Sequence, residues 1–171
     1  SPPIVDAAGR LMVNLHGSLL PKYRGAAPIN WALINGEKQA GVSVISIAQR
    51  MDAGLIYAQA ATPIEMSETA GELHDRLALL GPAVLDQVLD DFSKNTLQGQ
   101  EQDPALVTQS PKLSRADGVV DFAMDAQQVA NRINGLSPWP GVTATWRNQH
   151  GDDLAIGLRR ARADMTHAHS S

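Results

Sequence analysis

The stretch "NLHGSLLPKYRG", Asn14 to Gly25, sets an amide and an imidazole two residues apart at the end of an apolar run, then enters a loop. The run itself, "RLMVNLH" from Arg10 to His16, lies between Gly9 and Gly17, the pattern of a short buried strand. Residues two apart on a strand share a face, so Asn14 and His16 stand side by side while Leu15 points the other way, into packing. The carboxyl edge of a strand in an open α/β sheet is where ligands bind. A pair of this kind there suits a reaction in which a carbonyl oxygen becomes an oxyanion. The Asn amide donates a hydrogen bond, and the ring donates one or moves a proton. By spacing alone, an ordinary structural pair satisfied by local hydrogen bonds is the competing reading.

Such a ring needs a third group to fix its tautomer. "QRMDAGLIY" offers Asp52, in a turn between two strands, and a carboxylate beside an imidazole favours the protonated ring. The loop after His16 has its own possibilities. Gly17 and Gly25 let the backbone turn tightly, Leu19 and Leu20 are placed to press an aromatic ligand ring, and Pro21 stiffens the path. Lys22 and Arg24, near the next helix's amino terminus, form a less specific candidate for phosphate.

Further along, the elements alternate. "APINWALINGE" reads as a helix with Pro28 in its first turn and Gly36 in the left-handed position past its end. "GVSVISIAQ" alternates with period two and is β-branched, a strand. "MDAG" is a turn, and "LIYAQAATPI" is a second strand ending near Pro63. Thr69 and Glu72 then form a capping box. The helix they open carries a stripe of Leu73, Leu77, Leu80, Val84, Leu85, Val88 and Leu89, whose expected partner is the preceding sheet. Gly81 and Pro82 are predicted to kink or divide it.

From Ser93 to Pro111, "SKNTLQGQEQDPALVTQSP" is polar and aperiodic, and reads as an interdomain linker. Beyond it come "GVVDFAM" as a strand, "DAQQVANRINGL" as a helix capped by Asp125 and Gln128, and "SPWPG" as a rigid turn. "VTATWR" and "DLAIGLRRA" are strands of a smaller β unit. The division is therefore residues 1–92, a linker over 93–111, and a second unit over 112–171. The tail "DMTHAHSS" reads as frayed, with His167 and His169 idle.

Bulk properties exclude several classes. The chain has 171 residues, 43% hydrophobic and 19% charged, which suits a folded globular protein. It has no cysteine, so disulfides, thiolate chemistry and cysteine-ligated zinc are excluded. No run reaches the roughly 18 apolar residues that a membrane span needs, and no basic-then-apolar leader is visible. A cytoplasmic monomer that does not engage a membrane is the expectation. With a net charge of −4, only "LRRAR" (Leu158 to Arg162) is densely basic, and a solvated strand or loop accounts for it. His74-Asp75 in "ELHDRL" lacks the second motif of a metal phosphohydrolase, and a chelate of His16, Asp52 and His74 has no supporting pattern. No metal is expected. Trp31, Trp139 and Trp146 are assigned to core or interdomain packing.

A resemblance adds what spacing cannot. "NLHGSLLPKYRGAAPINWALINGE", "GVSVISIAQRMDAG", "ETAGELHDRLA", "QSPKLSRADGVVDF" and "PWPG" together strongly resemble the tRNA-formylating branch of the folate-dependent formyltransferase family. It covers about Pro3 to Trp146. The fold it implies is α/β: the C-terminal part of a Rossmann-like formyltransferase domain, followed by an incomplete β-barrel-type C-terminal domain. It implies Asn14, His16 and Asp52 as the catalytic trio, and Ser18, Leu19, Leu20 and Pro21 along a folate site. The reaction implied is formyl transfer from 10-formyltetrahydrofolate to methionyl initiator tRNA. Family members extend further at both ends, so the chain is expected to be truncated, with an unpaired sheet edge.

Three rival readings remain at this level. One is formylation of a nucleotide-linked amino sugar, against which "RMDAG" and "SPKLSRADG" count. Another is the purine-pathway formyltransferase, which has no need of a second domain after Pro111. The third is an inactive fragment retaining weak folate or tRNA binding.

Overall fold

The computed structural model describes residues 11–164; Ser1, Gly9, Arg10, His167 and His169 lie outside the described residues. Chain order is β1 (Val13–His16), β2 (Arg24–Gly25), α1 (Pro28–Ile34), β3 (Gln39–Ser46), β4 (Ile56–Pro63) and α2 (Ala70–Ser93). After these come β5 (Gln109–Ser110), α3 (Ala126–Gly135), β6 (Val142–Arg147) and β7 (Asp153–Leu158). The main sheet has the order β1–β3–β4, antiparallel throughout. Its central strand β3 is buried from Ala40 to Ile45 on both faces, although its sequence alternates. Ser43 is the polar exception inside it, fully buried opposite His16.

Helix α2 covers one face of this sheet. Leu73, Leu77, Val84 and Val88 pack with Val42 and Val44 of β3 and Leu33 of α1. The start of α2 is the expected box: the Glu72 N–H donates to Thr69 Oγ1, and the Glu72 carboxylate accepts from the Thr69 N–H. Contrary to expectation, Gly81 and Pro82 do not divide the helix, which runs unbroken to Ser93. Gly81 has a packing role instead: a Cβ there would come within 2.6 Å of Leu15 Cδ2, so its absence lets α2 approach β1. Leu15 does point to that side but stays 43% exposed, rather than being enclosed.

A second core of Ala27, Leu113, Ile133, Leu136 and Val142 joins the later part of the chain to α1. Asn30 Nδ2 donates to the Gly135 carbonyl at 2.7 Å, and Trp31 Nε1 donates to the Pro111 carbonyl at 2.8 Å. Trp31 also packs against that second core. Trp139 and Trp146 are not core: they are 52% and 51% exposed. "GVVDFAM" is not a strand either, because Asp121 takes the Ala123 N–H onto its side chain and the Met124 N–H onto its carbonyl, closing a turn. Asp125 caps α3 by accepting from the Gln127 N–H, without the reciprocal bond proposed for Gln128. β6 and β7 form a two-stranded antiparallel hairpin, and the described residues contain no closed barrel.

This packing has two measurable consequences for stability. Leu73→Ala, at a fully buried position, is expected to cost about 2–5 kcal/mol in urea unfolding, and Leu79→Ala, 81% exposed, no more than about 0.5 kcal/mol. The Thr69 backbone N–H, the Thr69 hydroxyl and the Arg160 guanidinium hold the Glu72 carboxyl down at about 2. A depressed folded value contributes stability above the ordinary 4.5 that is lost as pH falls towards 2. The destabilisation caused by Glu72→Gln should accordingly shrink between pH 5 and pH 2 in unfolding midpoints.

Candidate active site

His16 ends β1 as a buried side chain. Its Nε2 lies 2.9 Å from the Tyr23 carbonyl oxygen, and its Nδ1 lies 3.6 Å from Asp52 Oδ2. Asn14, two residues back on the same face and exposed, brings Nδ2 to 3.5 Å from Asp52 Oδ1. The Gly25 N–H donates to Asp52 Oδ2 at 2.8 Å. The three residues singled out in the sequence thus meet around one carboxylate, whose side chain is only 10% exposed. Asp52 itself sits at φ +52, in the left-handed region that Asp enters more readily than most residues.

The loop between β1 and α1 is built to hold this geometry. The hydroxyl of Ser43 donates to the Ser18 carbonyl at 2.6 Å, and accepts from the Leu20 N–H and from Gln59 Nε2. One donor and two acceptor positions are all a hydroxyl has, so this buried group is saturated. Ser18 Oγ donates to the Lys22 carbonyl, and Gln59 Nε2 also reaches the Leu20 carbonyl. Tyr23, at φ +61, is tied at its N–H to Thr108 Oγ1 and at its carbonyl to Ser110 Oγ as well as His16. Its hydroxyl donates to Glu37 and accepts from Asn35. Burial chiefly pushes that hydroxyl up to about 12; the Asn35 bond opposes the shift and Glu37 adds to it.

Of the four residues assigned to a folate site, Ser18, Leu19 and Pro21 line a cavity of about 300 Å³. Ala32, Ala40 and Leu106 complete its apolar wall, and Lys22, Tyr23 and Glu37 are its polar rim. Leu20 does not line it: it is buried beneath, with its N–H and carbonyl both engaged. The cavity begins at Gly17, directly after His16, and its lining includes none of Asn14, His16 or Asp52. Lys22, named with Arg24 as a phosphate candidate, is paired with Glu37 at 2.9 Å, and Arg24 donates to Gln102 Oε1. His74 pairs with Asp75 on the exposed side of α2, remote in role from His16 and Asp52. Among the described residues no group of three or more His, Asp or Glu side chains is placed to hold a metal ion, and no helix is long and apolar enough to cross a membrane.

Several contributors escaped the sequence reading. Ser43 had a signal, a polar residue at an inward position of a β-branched strand. Gln102, Thr108 and Ser110 had none, because they lie in the aperiodic segment after α2. That segment returns across the site: Gln100 exchanges both backbone hydrogen bonds with Ile56 at 2.8 Å, and β5 pairs parallel with β2.

Comparison with known proteins places this chain in a family. The family model described as formyl transferase matches residues 1–89, and that of the formyl transferase C-terminal domain matches residues 112–165. The chain belongs to the formyl transferase family. Among its relatives is the methionyl-tRNA formyltransferase of Geobacter metallireducens, 43% identical over 78% of this chain and 43% of that protein. The enzyme of the same name from Streptococcus sanguinis is 46% identical over 75% of this chain and 41% of that one. The one from Nitratidesulfovibrio vulgaris is 40% identical over 91% and 47%. The chain thus spans less than half the length of these relatives. Among solved structures, a 4-N formyltransferase from Francisella tularensis superimposes with a TM-score of 0.75 at 16% identity, over 95% of this chain and 67% of that one. An N-formyltransferase from Helicobacter canadensis, crystallised with folinic acid and dTDP-3-aminofucose, gives 0.69 at 20% identity over 80% and 55%. These structures share the α/β fold.

Gly25 makes the arrangement testable. It lies at φ +125, and an added Cβ would meet the Ser110 carbonyl oxygen at 2.6 Å. Gly25→Ala should destabilise the chain by about 1–3 kcal/mol through backbone strain, measurable by urea unfolding.

Proposed function

We propose that this chain carries the machinery for moving a formyl group from 10-formyltetrahydrofolate to the methionine amino group of initiator tRNA. The observation behind the reading is the meeting of Asn14, His16 and Asp52 around one buried carboxylate. Relatives named methionyl-tRNA formyltransferase support the choice of acceptor. The setting that accompanies it is the cytoplasm, with the protein as a monomer.

In this reading the neutral amine attacks the formyl carbon, and the carbonyl oxygen becomes an oxyanion. Asn14 is the exposed member of the trio, and its amide donates to that oxygen. His16 faces an acceptor at each ring nitrogen, the Tyr23 carbonyl at Nε2 and the Asp52 carboxylate at Nδ1. A carbonyl only accepts, so Nε2 carries the proton towards Tyr23 and Nδ1 is the nitrogen turned to Asp52, while His16 with Asn14 stabilises the oxyanion. Asp52, directly or through a water, receives the proton that the amine sheds. Collapse of the tetrahedral intermediate breaks the bond to the folate N10, which leaves with the proton that Asp52 took from the amine. The apolar wall of Leu19, Pro21, Ala32 and Ala40 offers a surface of the right character for part of the folate.

The test is a transfer assay on the purified 171-residue chain with labelled 10-formyltetrahydrofolate. It is supplied with charged initiator tRNA in one arm and a nucleotide-linked amino sugar in the other. Label on methionine is the expected result. Label on the sugar alone would move the acceptor to the rival class, and label on neither would remove the reading. Asn14→Ala should lower kcat about 10²–10³-fold if the amide is an oxyanion donor.

A further inference from the structure

With Asp52 read as the proton-receiving group, and resting on that reading, a role can be assigned to a residue outside the trio. Gln102 lies in the irregular segment between α2 and β5 and is half-buried. Its Nε2 donates to the carbonyl oxygens of Asp52 and Gly54, each at 2.8 Å. Its Oε1 accepts from Arg24 Nε at 2.9 Å and Nη2 at 2.7 Å. The orientation of the amide is dictated by its neighbours: two carbonyls can only accept, and a guanidinium can only donate. Every strong contact of this side chain is therefore used, and each falls on a piece of the site.

Those pieces are separate in sequence. Asp52 and Gly54 belong to the turn between β3 and β4, where Asp52 holds a left-handed φ of +52. Arg24 precedes Gly25, whose N–H is the short contact to Asp52 Oδ2 at 2.8 Å. A left-handed non-glycine residue persists when its surroundings over-determine it. Two carbonyls of the same turn aimed at one amide supply such a constraint, and the Arg24 cation strengthens the amide's donors by polarising it. We propose that Gln102 is a positioning residue for the transfer reaction: its amide sets the turn that points the Asp52 carboxylate at Gly25, His16 and Asn14. The segment after α2 thereby acts as part of the active-site frame.

The two ends of the amide can be tested separately. Gln102→Ala removes both. Gln102→Glu keeps an oxygen for Arg24, now charged, but replaces the donor with an acceptor facing two carbonyls. The reporter is the Gly25 N–H, followed by amide hydrogen exchange in NMR spectra of the 171-residue chain. The Leu73 N–H in α2, which donates to the Thr69 carbonyl, serves as the folding control. Asp52→Ala should accelerate Gly25 exchange about tenfold, since it removes a charged acceptor. Gln102→Ala and Gln102→Glu should each do the same while Leu73 stays protected. The double variant Gln102→Ala with Asp52→Ala should exchange no faster than either single one.

Wild-type Gly25 exchange in Gln102→Glu would overturn the proposal, because anchoring Arg24 would then suffice. So would additive effects in the double variant. If Gln102→Ala alone fails to fold, Gln102→Glu with its retained Arg24 pair decides. In transfer assays both variants should lower kcat at least tenfold with KM for the acceptor little changed, the sign of a displaced reacting group. Gly25 coupling as expected in a chain that transfers no formyl group would defeat the reading of the reaction and leave the positioning intact.

Discussion

The hydrogen bond from the Gly25 N–H to Asp52 Oδ2 is the contact on which the rest of the site is arranged. A carboxylate that keeps a tenth of its exposure must be given donors in place of water, or it is costly to bury ionised. Side chains alone do not supply this: the Asn14 and His16 contacts are long, at 3.5 and 3.6 Å. The backbone N–H provides the short bond, and only a residue without a Cβ can present it there, against the Ser110 carbonyl. The acid's place, the glycine's identity and the short parallel pairing of β2 with β5 are thus one requirement met three ways.

That requirement explains why the chain returns to the site after α2. β2 has two residues and holds little by itself. It is fixed by bonds from later residues: Arg24 N–H to the Thr108 carbonyl, and Ala26 N–H to the Ser110 carbonyl. Thr108 and Ser110 then take the N–H and the carbonyl of Tyr23, whose left-handed backbone is unfavourable for an aromatic residue without such support. Residues far apart along the chain therefore share one hydrogen-bonded frame.

This division also decides what a sequence can disclose. That Asn14, His16 and Asp52 come together was legible because strand geometry converts a two-residue spacing into a shared face, and because the family pattern names the turn. The capping box at Thr69 was legible because it is local. Pro82 misled, since helix-breaking is a local rule and the packing of α2 on β3, with Gly81 against Leu15, overrides it. "GVVDFAM" misled in the opposite sense: its apolar content suited a strand, but a single Asp121 side chain closed a turn first. Gln102, Thr108 and Ser110 left no trace, because a residue that acts by reaching across to another loop needs no period of its own.

The ring of His16 shows how the frame reaches the side chains around Asp52. An imidazole free to rotate could offer either nitrogen to a substrate. Here Tyr23 O accepts at Nε2, and the same oxygen accepts from Ser110 Oγ, so ring and β5 compete for one carbonyl with two lone pairs and both succeed. The remaining nitrogen is left facing the acid. Asn14 is then the exposed member of the three, its amide within 3.5 Å of the same carboxylate. Specialisation among three polar groups arises from where one backbone carbonyl points, and that direction is set by Tyr23, Thr108 and Ser110.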